Sequence, residues 1–301
     1  MRRPLATLAA LAALSACGGT SASGPQVLDH IGRIPGAKSA GVSVDINGAN
    51  LSAPAVQGNV LGAKATGNRL LIIGDSILAG TAARYGNEMC NTLVPMGWST
   101  VVEAEAGQPA TFGREVLRAR IYEGWDAAVV FLGTNPSANI DRYEQDMTRI
   151  VESLAPRPTL LLTTTLFRAS QQATNDVIRR IASSHDNVSI LDWGTASIQP
   201  GVLNADGVHP TTAGRTLLVR SIAAAVGAPP VAKGGNCLPA QFTDDSMGRE
   251  NMPSTTVAGQ SVVPVTSTSV AGSTGASTTT TSTAPVTSTT VQTAATTTTR
   301  P

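Results

Sequence analysis

Residues 69–80 of the chain read Arg-Leu-Leu-Ile-Ile-Gly-Asp-Ser-Ile-Leu-Ala-Gly. The apolar run at the start has the length of a strand buried on both faces, and the residues behind it are typical of a turn. We predict a strand over Arg69–Ile73 and a helix over Ser76–Leu93. Ser76 therefore falls at a strand-to-helix turn, where its hydroxyl can point away from the edge of a sheet.

The same alternation of strand and helix patterns repeats downstream. Further apolar runs of strand length are Thr100–Ala104, Ala127–Leu132, Thr159–Thr164 and Val188–Leu191. Helical patterns lie between and after them: one with Val116, Leu117 and Ile121 on a single face, then Ile140–Leu154, Thr174–Ala182 and Thr212–Val226. Because five strands alternate with helices, we predict an α/β fold whose five-stranded parallel sheet is covered on both faces and joined by right-handed crossovers.

Polar residues follow the predicted strands at three places. Ser76 follows the first strand, and Asn135 follows the third. Asp206 and His209 lie in a turn beyond the last strand. Parallel sheets bind ligands at the carboxyl ends of their strands, so we expect these side chains to converge on one edge. A serine nucleophile, an amide donor and a base supported by a carboxylate together suit acyl transfer.

Each of these features also has a plain structural interpretation when it is taken alone. A serine at a helix start commonly caps that helix, and asparagine before proline commonly forms a turn. A single histidine in a turn usually has no catalytic role. The joint position of all three features after strands of one sheet favours the catalytic interpretation.

The chain is similar to a known family in four short blocks: Gly74-Asp75-Ser76, Ala106-Gly107-Gln108, Gly133-Thr134-Asn135 and Asp206-Gly207-Val208-His209-Pro210. These blocks resemble those of the SGNH hydrolase (GDSL-like) superfamily. The resemblance implies a flavodoxin-like, three-layer αβα sandwich and a catalytic triad of Ser76, His209 and Asp206. It also implies an oxyanion hole formed by the amides of Ser76 and Gly107 with the side chain of Asn135, and no cofactor.

A second set of residues resembles one particular group within this superfamily. Asn175, the stretch Ile190-Leu191-Asp192-Trp193 and the block around His209 look like the extracytoplasmic SGNH domain that is often fused to membrane acyltransferases acting on cell-surface glycans. The similarity extends over roughly Leu70–Ala225. It departs from the family pattern at Pro136, where relatives often have an aspartate, so any role of that aspartate is absent here.

The resemblance leaves three functions open. Because the sequence carries no membrane half that could deliver an acyl donor, we expect a serine esterase that hydrolyses short-chain O-acyl bonds on a small molecule or a cell-envelope glycan. Transfer of the acyl group to a glycan hydroxyl is the first alternative. The second is a wall-binding lipoprotein of the same fold without activity.

The start of the chain predicts export. Residues 1–16 combine arginines with an apolar stretch that is too short to span a bilayer, as in a signal peptide. The sequence Leu14-Ser15-Ala16-Cys17-Gly18 resembles the bacterial lipobox, so we expect a lipid on Cys17 that anchors the protein to a membrane surface. A plain cleavage site with a chance cysteine is the alternative. The expected location is thus extracytoplasmic, in a bacterial cell envelope.

Composition divides the rest of the chain into three parts. Residues 17–67 are rich in Gly, Ala and Ser and are predicted to be a tether, with a short strand near Val42–Ile46. Residues 68–240 carry the hydrolase domain. Residues 253–301 are mainly Thr, Ser, Ala, Val and Pro, which predicts a disordered or glycosylated tail.

The remaining cysteines, histidines and charges limit the partners. Cys90 and Cys237 form an even pair in an oxidising compartment, so we expect a disulfide; two separate thiols are the alternative. His30, His185 and His209 lie far apart, so no metal site is expected. With 21 basic against 20 acidic residues and a net charge of +1, the chain has no pattern for nucleic acid. We expect a monomer.

Overall fold

The computed structural model describes residues 43–46, 49–135, 137–231 and 234–253. The predicted signal peptide (1–16), Cys17 and all but the first residue of the predicted tail (253–301) lie outside this part of the chain, as does Pro136. Within the described residues, no helix is long and apolar enough to cross a membrane.

The strands form one large sheet and one hairpin. Numbered along the chain, they are β1 (Ser43–Ile46), β2 (Ala49–Ser52), β3 (Val56–Gln57), β4 (Arg69–Gly74), β5 (Ser99–Ala104), β6 (Ala127–Phe131), β7 (Thr159–Leu162) and β8 (Val188–Leu191). β1 and β2 pair antiparallel, whereas the large sheet has the order β3-β8-β7-β6-β4-β5. All pairs in the large sheet are parallel except β3 with β8, which confirms the predicted α/β fold.

Helices connect the parallel strands and cover both faces of the sheet. They are α1 (Ser76–Ala79), α2 (Glu88–Leu93), α3 (Thr111–Arg120), α4 (Ile140–Leu154), α5 (Ser170–Ser183), α6 (Trp193–Ser197) and α7 (Thr212–Val226). The bounds of α4 and α7 agree with the sequence prediction, because both helices follow a clear capping residue. Asn139 accepts from the Arg142 amide, and Thr211 accepts from the Gly214 amide.

The core consists of two apolar layers on opposite faces of the sheet. Leu70 and Ile72 of β4 pack in the layer that contains α7. Leu71 and Ile73 pack in the layer with α3, α4 and α5. Successive residues of a strand point to opposite faces, so a central strand that is covered twice needs an unbroken apolar run.

The five predicted parallel strands are present, and the sheet has one strand more. Val56–Gln57 adds a sixth strand, antiparallel to β8, at one edge of the sheet. Two residues are too few to show a periodic pattern, and this strand lies in the segment that was predicted to be a tether. Leu51 and Leu61 of the same segment are buried in the core. The expected short strand near Val42–Ile46 corresponds to β1.

The prediction of one continuous helix over Ser76–Leu93 was wrong. The helical pattern is divided into α1, a 3₁₀ turn at Ala83–Tyr85 and α2. Gly86 (φ 104°) and Asn87 (φ 60°) adopt left-handed backbone conformations between the last two segments. A left-handed residue ends the helical hydrogen-bond ladder, and the apolar period on either side does not reveal it.

A disulfide joins the helical layer to the segment that follows α7. Cys90 on α2 is bonded to Cys237, with a Cα–Cα distance of 5.6 Å, which confirms the expected pairing. Cys237 also forms a parallel bridge with Thr100 at the start of β5. Phe242 packs against the core, so the described chain continues to contact the domain beyond residue 240, the predicted end of the domain.

Candidate functional site

Three side chains form a hydrogen-bonded series at the carboxyl edge of the sheet. The Ser76 hydroxyl oxygen lies 2.9 Å from Nε2 of His209, and Nδ1 of His209 lies 2.7 Å from Oδ2 of Asp206. With Nδ1 as the N–H donor to the carboxylate, Nε2 is free to accept from the Ser76 hydroxyl. The structure therefore brings together the three residues that the sequence proposed as nucleophile, base and acid.

Ser76 owes its position to the turn between β4 and α1. The Asp75 carboxylate accepts a 3.1 Å hydrogen bond from the Ile77 amide and thus caps the short helix. The capping role that serine often plays belongs here to the preceding residue. The Ser76 hydroxyl is therefore available to His209, although the residue is 93% buried, with 7% of its surface exposed.

The two oxygens of Asp206 have different partners. Oδ1 accepts from the amides of Val208 and His209, which closes the turn, and Oδ2 holds the imidazole. Burial acts to raise the pKa of Asp206, but these hydrogen bonds outweigh it and hold the pKa below its ordinary value. Gly207 has a φ of 67°, so the turn needs a residue that tolerates the left-handed region. The spacing of three residues between Asp206 and His209 is thus the spacing that one tight turn requires.

Two of the three candidate oxyanion donors, Asn135 and Gly107, lie on neighbouring loops. Nδ2 of Asn135 donates a 3.0 Å hydrogen bond to the carbonyl of Gln108, which ties the loop after β6 to the loop after β5. Gly107, next to Gln108, has a φ of 77°. The structure therefore brings Asn135 against the loop that contains Gly107, as convergence at one sheet edge requires.

Sequence reasoning missed the residues that hold the Asn135 loop. Tyr143 donates from its hydroxyl to the Leu132 carbonyl at 2.9 Å, and Gln171 donates to the Gly133 carbonyl at 3.0 Å. Arg168 donates to the Thr134 carbonyl at 3.0 Å. These three side chains come from α4, α5 and the loop before α5. Nothing in the local pattern signals them, because a backbone carbonyl can accept from any donor.

Asn175 and Asp192, which carried part of the family resemblance, contact the end of β7 and not the nucleophile. Asn175 bonds both the amide and the carbonyl of Thr164, at 2.7 and 2.8 Å. Asp192 accepts from the Thr163 hydroxyl at 2.8 Å. Asn175 therefore fixes the backbone that leaves the sheet, and Asp192 holds the side chain of the preceding residue, Thr163.

Asp75 is a further carboxyl group at the site that the sequence did not single out as titratable. It has no exposed surface, and this burial raises its pKa to about 6. The hydrogen bond from the Ile77 amide, the neighbouring Thr134 and the proximity of His209 act in the opposite direction. The site thus contains two carboxyl groups whose pKa values are moved in opposite directions.

Space beside the Asn135 loop is available for a small group. A cavity of about 250 Å³ is lined by Asn135, Tyr143, Arg168 and Thr174, among other residues. In the described part of the chain, no group of three His, Cys, Asp or Glu side chains is arranged to hold a metal ion.

No protein-family model matches the chain. A curated protein of Bacillus subtilis (strain 168) named "Putative peptidoglycan O-acetyltransferase YrhL" is 25% identical over 166 residues. The match covers 54% of this chain and 24% of that protein, so the chain spans about a quarter of the length of this relative.

Similar solved structures include the C-terminal catalytic domain of Streptococcus pneumoniae peptidoglycan O-acetyltransferase A (OatA) with a methylsulfonyl adduct. Its sequence identity to this chain is 20% and the TM-score is 0.43, and the match covers 53% of this chain and 93% of that one. The salicylyl-acyltransferase SsfX3 from a tetracycline biosynthetic pathway has 16% identity and a TM-score of 0.42, and the match covers 52% of this chain and 53% of that one. A family 3 carbohydrate esterase of Clostridium thermocellum has 13% identity and a TM-score of 0.43, and the match covers 52% of this chain and 93% of that one. The sequence blocks that meet at this sheet edge are those that resemble the SGNH superfamily, and the curated match is to a protein named as a putative peptidoglycan O-acetyltransferase.

Proposed function

We propose that the chain is an SGNH-type serine enzyme that cleaves O-acyl esters through an acyl-enzyme on Ser76. The observation that carries the proposal is the hydrogen-bonded series from Ser76 through His209 to Asp206. A nucleophile in contact with a base, and a base oriented by a third group, is the arrangement that activates a hydroxyl.

The proposed reaction has two halves. As the Ser76 oxygen attacks the ester carbonyl, His209 takes the hydroxyl proton at Nε2, and Asp206 stabilises the resulting imidazolium. The C–O bond to the leaving alcohol then breaks, and His209 returns the proton to the alcohol oxygen. In the second half, His209 takes a proton from the acceptor hydroxyl, whose oxygen attacks the acyl-enzyme. The bond between the acyl carbon and the Ser76 oxygen then breaks, and His209 returns the proton to that oxygen.

An oxyanion hole for the tetrahedral oxygen would be formed by the amides of Ser76 and Gly107 and by the Asn135 side chain. The Asn135 amide nitrogen carries two hydrogens, and its bond to the Gln108 carbonyl uses one of them. We assign the second hydrogen to the oxyanion. Donors that are fixed before the reaction stabilise this charge without reorganisation.

Water is the acceptor that we propose first, which makes the protein an esterase. Transfer to a glycan hydroxyl is the second candidate, and the match to the B. subtilis protein that is named as a peptidoglycan O-acetyltransferase favours it. Incubation with an acyl donor and glycan fragments separates the two. Mass spectrometry should find free carboxylic acid and no acylated glycan if water is the acceptor.

We further propose that the protein is exported and anchored through a lipid on Cys17, so that the substrate is a cell-envelope glycan or an acylated small molecule outside the cytoplasm. The lipobox-like sequence supports this proposal. Metabolic labelling of the wild type with a fatty-acid analogue tests it, with Cys17→Ser as the control that must not be labelled. An unlabelled wild type would remove the anchor.

Ser76→Ala tests the proposed nucleophile, because alanine removes the attacking oxygen and leaves the rest of the site in place. Turnover of p-nitrophenyl acetate should fall at least about a thousandfold, the scale that is typical when a triad member is removed. Ser153→Ala on the exposed surface of α4 is the matched control and should keep wild-type turnover. More than about a hundredth of the activity in Ser76→Ala would contradict the assignment.

A further inference from the structure

The strap, residues 237–253, follows the edge of the sheet toward the candidate site. It begins at the disulfide to α2, and the Leu238 amide donates to the Thr100 carbonyl at 2.8 Å. The amides of Gln241 and Phe242 then donate to the buried carboxylate of Glu103, at 3.0 and 2.8 Å. The strap therefore runs alongside β5 from its first residues to its end, where the Gly107 loop begins.

The strap reaches that loop at Asp245, whose surface is only 4% exposed. Oδ1 of Asp245 accepts from the Ala106 amide at 2.9 Å and from Arg84 at 2.8 Å. Oδ2 accepts from Nε of Arg84 at 2.6 Å and from the Tyr85 hydroxyl at 2.8 Å. Arg84 also donates to the Ala104 carbonyl at 2.6 Å. One carboxylate thus joins the strap, the turn before α2 and the loop after β5.

The strap also lies directly on Gly107. A Cβ atom at Gly107 would lie 3.0 Å from Cβ of Met247, and one at Gly248 would lie 3.1 Å from Cβ of Ala106. Glycine is needed at Gly107 for this close approach as well as for its positive φ. The contacts above and the hydrogen bond to the Ala106 amide restrict the backbone that sets the direction of the Gly107 N–H.

We propose that Asp245 is a positioning residue, which fixes the loop of Ala106 and Gly107 so that the Gly107 amide points at the oxyanion. This inference rests on the proposed function, because it gives the strap a role in the same reaction. Burial acts to raise the pKa of Asp245, but Arg84, Tyr85 and the Ala106 amide outweigh it and keep the pKa below its ordinary value. The group is therefore a carboxylate at neutral pH, and charge-assisted hydrogen bonds hold the loop.

Asp245→Asn tests this role, since asparagine has the same shape but cannot accept from Arg84 with both terminal atoms. Removing an oxyanion donor typically costs a hundredfold or more in kcat, so a misdirected donor should cost about tenfold or more. We expect that fall in kcat for p-nitrophenyl acetate, with KM within about threefold. Asp244→Asn, at an exposed position next to it in the strap, is the matched control and should keep the wild-type kcat.

Hydrogen–deuterium exchange provides a readout that does not depend on activity. In Asp245→Asn, peptides covering residues 105–108 should lose protection, whereas those covering α1 should not. Tyr85→Phe, which removes a single donor to Asp245, should cause a smaller change of the same kind and serves if Asp245→Asn does not fold. Unchanged exchange of the loop in the folded variant, or a kcat within twofold of the wild type, would overturn the proposal. If Ser76→Ala keeps its activity, the proposed function has failed, and the exchange measurement alone decides whether the strap positions the loop.

Discussion

Replacing Asp75 by asparagine should stabilise the protein at neutral pH, although the residue lies beside the candidate nucleophile. Asp75 has no exposed surface, and burial raises its pKa from an ordinary 3.8 to about 6. The folded state therefore binds the proton more tightly than the unfolded state does. The resulting contribution to stability is complete below pH 3.8 and is lost as the pH rises through 6.

The gap between 3.8 and about 6 corresponds to about 3 kcal/mol, because each tenfold step in the proton equilibrium amounts to about 1.4 kcal/mol. Asparagine keeps the oxygen that accepts from the Ile77 amide, so the cap on α1 remains. It removes the charge that burial disfavours. The free energy of unfolding of Asp75→Asn should therefore exceed that of the wild type by up to about 3 kcal/mol at pH 8.

Urea unfolding at pH 8 and pH 4 measures this difference. At pH 4, Asp75 of the folded wild type is protonated, so the advantage of the variant should shrink to a few tenths of a kcal/mol. Asp206→Asn is the control of opposite sign, because the pKa of Asp206 lies below its ordinary value and its charge favours the fold at neutral pH. If Asp75→Asn is no more stable than the wild type at pH 8, or is more stable by the same amount at both pH values, the buried charge of Asp75 does not destabilise the fold.

Two further predictions concern the disulfide and the proposed acid. The free energy of unfolding of the double variant Cys90→Ser with Cys237→Ser, measured in urea, should fall by up to about 5 kcal/mol. The bond joins residues 147 positions apart, and its loss gives the unfolded chain more conformational freedom. A loss below about 1 kcal/mol would show that the strap is held by its other contacts. Asp206→Asn should lower kcat by up to about 10⁴ with little change in KM, since the imidazole loses the partner that fixes its tautomer. A kcat within threefold of the wild type would leave Asp206 with only its role in the turn.

The sheet and the meeting of the candidate triad could be predicted because both follow from local patterns combined with general topology. The unbroken run Leu70–Ile73 indicates a central strand, and parallel strands place Ser76 and the turn of His209 at the same edge. The contact between Asp206 and His209 needs only a three-residue turn. These features could be predicted without knowing any contact between distant parts of the chain beyond the general topology of a parallel sheet.

The features that were missed depend on contacts between distant parts of the chain. β3 has two residues and becomes a strand only through its pairing with β8. The strap bonds Glu103 and Glu105 through the backbone amides of Gln241 and Asp244, 138 and 139 residues away along the chain. A backbone amide leaves no trace in side-chain periodicity, so these contacts could not be predicted from the sequence.

Labelling with a fluorophosphonate tests the central claim, that Ser76 is an activated nucleophile, most directly. The wild-type protein should gain the mass of one phosphonyl group, and peptide mapping should place that group on Ser76. Ser76→Ala should remain unlabelled, and Asp245→Asn should react more slowly than the wild type. A folded wild type that is not labelled would favour the non-catalytic wall-binding lipoprotein, and a label on any residue other than Ser76 would contradict the assignment of the nucleophile.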